Sequence, residues 1–337
     1  MERLRSLDGI KGLGTAMVFL CHNRMAGLLP AKWADNTLFW FISDGNLAVY
    51  LFIIVSGYCI SQSVKRKIAD TTSLTLSLSS TILKRYFRLA LPCAVVLLCT
   101  GLAYWAGAFS FKTHSSLPMH RVAEEAYGEG LEVFGLAKSL ILSPLGMDFG
   151  WLAPLWMMKY IFIGTMLVII IELAIVPFEA RKSFLIILFS MLLAACVSKW
   201  YAGIIVGILL SHLQKLMEKI KHTSILSLVL FSLGLFTWLE ADCLRGGGHF
   251  ISSSLIVSSV LVDGPISKIF SSLPLRELGS ISYPVYLLHW PVICSIPFAL
   301  NNIVPSFATF FISLFVILLL AFGLARIERY IWRTLPL

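Results

Sequence analysis

Apolar runs long enough to cross a bilayer recur along almost the whole of this 337-residue chain. A hydrocarbon core about 30 Å thick needs roughly 20 apolar residues in a helix, and the backbone polar groups of that segment must bond to one another. The composition agrees, because 58% of the residues are hydrophobic and only 13% are charged. The sequence therefore predicts an all-α fold, a polytopic bundle of transmembrane helices, and it excludes an ordinary soluble domain.

Ten of these runs are predicted to form spans in one integral-membrane domain over residues 1–337. The two short runs within 184–216 can also be read as one broken element. A long loop is predicted over 64–88, and residues 122–142 of the next long connection, 109–151, are predicted to form an amphipathic or re-entrant helix. The predicted spans are 10–29, 43–63, 89–108, 152–175, 184–199, 201–216, 223–240, 250–262, 281–300 and 307–325.

The basic residues are distributed unequally between the two sides of these spans. With ten spans, most lysines and arginines fall on the side that holds both chain ends, which the positive-inside rule places in the cytoplasm. The net charge of +9 is explained by these short basic loops, so nucleic acid is not expected as a partner. The opposite side holds Arg24, Lys32, Lys112, Arg121, Lys138, Lys199 and Arg245.

An ionisable residue, His22, lies inside the first apolar run, and Lys11 precedes it in a K-x10-H spacing. On a helix these eleven steps rise roughly 16 Å and return to within about 20° of the same face. An ionisable group inside a membrane is costly, so it indicates a functional site. An imidazole with a pKa of about 6.5 suits a general base near neutral pH. The structural alternative is a core histidine bonded to a neighbouring helix.

Two further pairs have helical i, i+3 spacing. Arg85 and Arg88 immediately precede the third span, and guanidinium groups on one helix face can bind phosphate bidentately. An ordinary positive-inside cluster is the alternative. Asp8 and Lys11 either pair with each other or present Lys11 to a phosphate with Asp8 orienting it.

A second polar segment, Ser280 to Pro291, interrupts the ninth run. Its prolines are predicted to kink the helix, and His289 is predicted to line the same cavity as His22, with a structural bond between helices as the alternative. Trp290 can equally be an aromatic residue of the membrane interface.

Other polar residues of the apolar runs are assigned no chemistry. Lys159 and Glu172 are predicted to extend toward the membrane surfaces. The seven cysteines are predicted to be small core residues, with no disulfide framework and no metal site.

Taken in order, these motifs resemble the acyltransferase-3 family of membrane O-acyltransferases. The resemblance maps the family's R/K-x10-H motif onto Lys11 and His22 and its RxxR motif onto Arg85 and Arg88. Lys11 stands where most members have Arg, and Ile161 stands where many have Glu. The matching segments are Leu7–Gly12 with His22, Leu51–Tyr58, Arg85–Pro92, Pro154–Tyr160 and Ser282–Pro291.

This resemblance implies transfer of an acetyl group from cytoplasmic acetyl-CoA to a hydroxyl of a glycan, a lipid-linked surface polysaccharide or O-antigen sugar, in a bacterial inner membrane. Lys11, Arg85 and Arg88 would bind the acetyl-CoA phosphates. His22 would act as general base or carry the acetyl group covalently. The supporting residues would be Asp8, Ser282, Tyr283 and His289. The alternative function is a transporter or flippase of lipid-linked glycans with His22 in a proton relay.

Overall fold

The computed structural model describes residues 5–70, 74–110, 118–128, 132–148, 151–217, 219–220, 222–241 and 247–334. Within these ranges the chain forms α-helices and short 3-10 turns and contains no β-strand, so the predicted all-α class is confirmed. The helices are α1 Arg5–Met25, α2 Thr37–Ile42, α3 Gly45–Asp70, α4 Leu74–Trp105, α5 His120–Tyr127, α6 Val133–Leu142, α7 Met158–Ile175, α8 Ala180–Val197, α9 Lys199–Met217, α10 Thr223–Leu239, α11 Gly248–Leu261, α12 Pro265–Phe270, α13 Leu273–Ser280, α14 Ser282–Ile293, α15 Ile296–Ala299 and α16 Ser306–Thr334.

Among the described residues, five helical segments are long and apolar enough to cross a membrane. They are Gly45–Ala69, Leu78–Trp105, Ala153–Ile175, Ala180–Val197 and Ser306–Thr334. A sixth is added if 273–280 and 282–299, which meet at a 70° bend, form one span.

Other apolar helices are shorter than a full span. Helices α10 and α11 have 17 and 14 residues, about 26 and 21 Å at the helical rise. These helices indicate an integral membrane protein, while the count of ten spans and the cytoplasmic position of both termini stay predictions.

The predicted loop over 64–88 is wrong. Helix α3 continues to Asp70 and α4 already begins at Leu74, and the Lys67 Nζ donates to the Thr81 Oγ1 at 2.5 Å. Hydropathy marks where a helix leaves the apolar core, but Ser, Thr, Lys and Arg permit the helix to continue beyond it. The predicted outer helix over 122–142 is two helices, α5 and α6.

The helices group into two compact units, and the prediction of one domain stays a prediction. One unit comprises Met1–Gly14, Gly45–Leu83 and Tyr160–Ser280. In it α3 packs against α9 and α11, and α10 packs against α11. The backbones of α3 and α9 approach closely, because a Cβ added at Gly57 would lie 2.2 Å from the carbonyl oxygen of Ile204.

The other unit comprises Thr15–Asp44, Lys84–Lys159 and Ile281–Leu337. Helix α14 packs against α16, and all its residues from Pro284 to Ile293 are buried. Helix α14 continues through Pro284 and Pro291 and ends at Ile293, and α15 follows with Pro297 in its first turn. The kink expected at the prolines of the polar segment stays a prediction. This buried helix holds most of the second polar segment of the sequence.

Candidate active site

Two histidines from different helices of this unit lie side by side. The ring centroids of His22 in α1 and His289 in α14 are 4.9 Å apart, with 37° between the ring planes. The Trp290 ring meets His22 edge to face at 5.5 Å. His289 is 1% exposed and Trp290 is 4% exposed. The structure therefore brings His289 to His22 as predicted, and it places Trp290 in the same buried group rather than at an interface.

Hydrogen bonds to the helix backbone select the tautomer of both rings. The His22 Nδ1 lies 3.0 Å from the carbonyl oxygen of Val18, and the His289 Nδ1 lies 3.3 Å from that of Val285. A carbonyl oxygen only accepts, so each Nδ1 carries the proton and donates it. In the neutral ring the lone pair is then on Nε2. His22 can therefore accept a proton at Nε2.

Two buried polar atoms beside His22 have no hydrogen-bond partner among the described residues. They are the Nε2 of His289, which accepts in this tautomer, and the Nε1 of Trp290, which can only donate. Leaving such an atom unbonded costs about 1–3 kcal/mol, and each case in a native structure asks for an explanation. The site thus offers an acceptor nitrogen and a donor N–H next to a candidate base.

The arginine pair lies in α4 of the same unit. Arg88 is exposed, and its guanidinium carbon lies 5.4 Å from the centroid of the Trp332 ring in α16. The Tyr283 hydroxyl donates to the carbonyl oxygen of Leu89 at 2.7 Å. This bond attaches α14 to α4 one residue beyond Arg88, while Arg85 lies one turn earlier and is half-buried.

The remaining predicted residues have the following positions. Lys11 and Asp8 form an ion pair of 2.6 Å in the first unit, which is the pairing that the sequence left open. Lys11 and His22 belong to one uninterrupted helix, α1. Ser282 is the first residue of α14.

A polar cluster that sequence reasoning did not predict lies in the first unit. Glu172 is 2% exposed, so its predicted extension to the surface is wrong. Its carboxylate accepts from the Ser61 hydroxyl and lies 3.1 Å from the His212 Nε2. The Ser61 and Ser211 hydroxyl oxygens are 2.7 Å apart, and Ser211 is the donor of this bond because the single Ser61 proton goes to Glu172. The only sequence signal was that each of these polar residues falls within an apolar run.

Within the described ranges, no three side chains of His, Cys, Asp or Glu are grouped so that they could hold a metal ion. The two imidazoles of the histidine site can support proton transfer or nucleophilic attack.

Comparisons with known proteins agree with this chemistry. The family model Acyl_transf_3, described as "Acyltransferase domain", matches residues 4–326. A protein from Komagataeibacter xylinus named "Putative membrane-bound transacylase BcsY" is 23% identical over 313 residues, which cover 86% of this chain and 73% of that protein. No solved structure matches. Since the family model spans nearly the whole chain, the protein belongs to the acyltransferase-3 family of membrane acyltransferases.

Proposed function

We propose that the protein transfers an acetyl group from acetyl-CoA to a hydroxyl of a glycan, a lipid-linked polysaccharide or O-antigen sugar, in a bacterial inner membrane. The observation that carries this proposal is the histidine pair, in which the Nδ1 of His22 is bonded to its own helix and its Nε2 is left as a base. Membership of an acyltransferase family supports the reaction class.

In the proposed reaction the His22 Nε2 takes the proton from the acceptor hydroxyl while the oxygen attacks the thioester carbonyl carbon. The carbonyl oxygen becomes an oxyanion, and the Trp290 N–H is the neighbouring donor available to stabilise it. The C–S bond then breaks, and the thiolate of coenzyme A takes the proton back from His22. The products are the acetyl ester and coenzyme A, with a neutral imidazole restored.

The competing mechanism makes an acetyl-imidazole. In it the His22 Nε2 attacks the thioester itself, coenzyme A leaves first, and the acceptor hydroxyl then attacks the acetyl group. The two routes differ in order, because only the second releases coenzyme A before the acceptor binds. Exchange of label between acetyl-CoA and coenzyme A without acceptor would support the second.

The donor phosphates are assigned to Arg85 and Arg88, whose i, i+3 spacing on α4 suits a bidentate phosphate contact. Lys11 is proposed as a further cationic contact, weaker than an arginine because an ammonium lacks the guanidinium fork. Arg85→Ala and Arg88→Ala should each weaken acetyl-CoA binding by about 10- to 100-fold, since a charged hydrogen bond contributes about 1.5–3 kcal/mol. Unchanged affinity in both, with Arg181→Ala on α8 as the control, would remove this role.

The decisive experiment is acetyl transfer by purified protein supplied with labelled acetyl-CoA. His22→Ala should lower the rate by about 10²–10⁴-fold, the usual contribution of a general base, while His222→Ala at the exposed start of α10 should not. Near-normal transfer by folded His22→Ala would refute the assignment. A flippase of lipid-linked glycans would instead leave the acetyl-CoA thioester intact in every variant. The acceptor would be identified by mass spectrometry of surface glycans from cells with and without the gene.

A further inference from the structure

A groove separates α4 from α16 in the second unit. Its cavity volume is about 50 Å³. Leu91, Pro92 and Val95 of α4 form one wall, and Leu324 and Ile327 of α16 form the other. Helix α16 packs mainly against α14 and α15 rather than against α4, which leaves this apolar groove open. In a spanning helix pair such a groove faces lipid tails.

One end of the groove, its mouth, is polar and has two cations, Arg88 and Arg329, beside one carboxylate, Glu328. Arg88 lies over the ring of Trp332, and Glu328 lines the same end, where the charges of Arg88 and Arg329 act on its carboxylate. From residue 84 of α4 and residue 306 of α16 to the ends of these helices, Glu328 is the one acidic residue. The cations of the same segments are Lys84, Arg85, Arg88, Arg326, Arg329 and Arg333.

The mouth also holds a hydrogen-bond donor without an acceptor. The Nε1 of Trp332 is buried and has no partner among the described residues. An indole N–H can only donate, so the ligand that completes this site must bring an acceptor oxygen.

The charged residues of α4 and α16 lie at matching positions along the two helices. Leu89 begins the apolar part of α4 directly after Arg88, and the apolar part of α16 ends at Ala325, directly before Arg326. Both polar-to-apolar boundaries therefore fall at the mouth of the groove, which is the level of phospholipid headgroups. Basic pockets between transmembrane helices at this level are a recognised mode of binding acidic lipid headgroups.

We propose that this groove is a binding site for one anionic phospholipid. The lipid phosphate accepts from Arg88 and from the Trp332 N–H, and an acyl chain lies against Val95, Leu324 and Ile327. The excess of cations selects an anionic headgroup over a zwitterionic one. The site stands independently of the acyl-transfer reaction, because nothing in its recognition requires acetyl-CoA.

Arg88 belongs both to the groove and to the proposed acetyl-CoA site, so the following expectation rests on the proposed function. If Arg88 also binds the acetyl-CoA phosphates, an occupied groove competes for the same guanidinium. Anionic lipid should then raise the apparent KM for acetyl-CoA and leave kcat unchanged.

Lipid binding is tested directly by fluorescence quenching. Purified full-length protein in detergent is titrated with phosphatidylglycerol carrying brominated acyl chains, and the signal of Trp332 is isolated by subtracting a Trp332→Phe variant. Saturable quenching is expected with phosphatidylglycerol, at concentrations at least 10-fold below those needed with brominated phosphatidylcholine. Equal quenching by the two lipids would overturn the proposal.

Variants in which a larger side chain fills the groove test the site, each with a matched control. Val95→Phe should abolish the saturable quenching, whereas Leu319→Phe, on the exposed face of α16, should leave it unchanged. If Val95→Phe does not fold, Ile327→Phe on the opposite wall makes the same test. Glu328→Gln should tighten phosphatidylglycerol binding about fivefold, since one charge near the headgroup level contributes about 1 kcal/mol. Unaltered binding in a folded groove-filling variant would refute the site, whatever the outcome for acetyl transfer.

Discussion

At the scale of single residues, the chemistry of the candidate site depends on which ring nitrogen of each histidine is not bonded to the helix backbone. Bonds from Nδ1 to the carbonyl oxygen four residues earlier occupy one nitrogen of both His22 and His289. The remaining Nε2 atoms are both acceptors, so the pair cannot bond to itself without another proton. A donor from a substrate, such as an acceptor hydroxyl, satisfies this arrangement.

Trp290 gives the sharpest prediction at this scale. Trp290→Phe keeps an aromatic ring beside His22 and removes the buried N–H that has no described partner. If that N–H bonds to the reacting oxygen, kcat should fall by about 10- to 100-fold, while the KM for acetyl-CoA stays within about twofold. Steady-state kinetics with thermal melting measures both effects.

Trp33→Phe is the matched control, because Trp33 contacts the rings of Phe39 and Phe307 in the same unit. A Trp290→Phe enzyme with the normal kcat and a raised melting temperature would contradict the prediction. It would show that the unbonded N–H only lowers the stability of the fold and takes no part in the reaction.

At the scale of helices, close backbone contact between α3 and α9 should limit side-chain size. Gly57→Ala would set a Cβ 2.2 Å from the Ile204 carbonyl oxygen, and separating two packed helices costs about 1–3 kcal/mol. The melting temperature in detergent should fall by several degrees. Gly323→Ala in α16 is the control, since its Cβ would meet nothing within 4 Å among the described residues and alanine favours the helix by up to about 1 kcal/mol. Equal melting temperatures in the two variants would argue against the close contact.

The polar cluster should hold α3, α7 and α9 in one register. His212→Ala leaves the buried Glu172 carboxylate without its imidazole partner and should destabilise the protein by about 2 kcal/mol or more. Glu172→Leu combined with His212→Leu should recover part of that loss, because the apolar pair has no charge to solvate. A double-mutant cycle measured by thermal or denaturant unfolding gives the coupling, and additive single effects would rule out the proposed register role.

At the scale of the whole molecule, the orientation predicted from the basic residues can be tested chemically. In a cysteine-free background, Lys138→Cys should react with a membrane-impermeant maleimide on intact cells, whereas Lys182→Cys should react only after permeabilisation. Both lysines are exposed, so burial does not decide the result. The reverse pattern would invert the predicted topology.

Much of the candidate site could be predicted because its signals are local in the sequence. His22 follows Lys11 within one helix, and Arg85 and Arg88 are one turn apart, so a single periodicity relates each pair. The ends of the helices were less predictable, as residues 64–88 show. Hydropathy indicates which residues contact lipid, whereas helical hydrogen bonding continues past the last of those residues.

Which side chains on different helices contact each other depends on helix packing, and the hydropathy of the sequence does not contain that information. No sequence pattern relates Glu172 to His212, 40 residues away, or Arg88 to Trp332 in the last helix. Nor did the sequence show that Trp290 would be buried against His22 rather than placed at an interface.

The sequence by itself determined that this is a helical membrane protein and which ionisable side chains it carries into the apolar helices. These follow from the cost of unbonded backbone and of isolated charge in lipid. Only the tertiary structure decided which of those side chains meet. It set Trp290 against the His22 ring and buried Glu172 against His212, because the packing of helix faces selects partners among residues that lie in equally apolar segments.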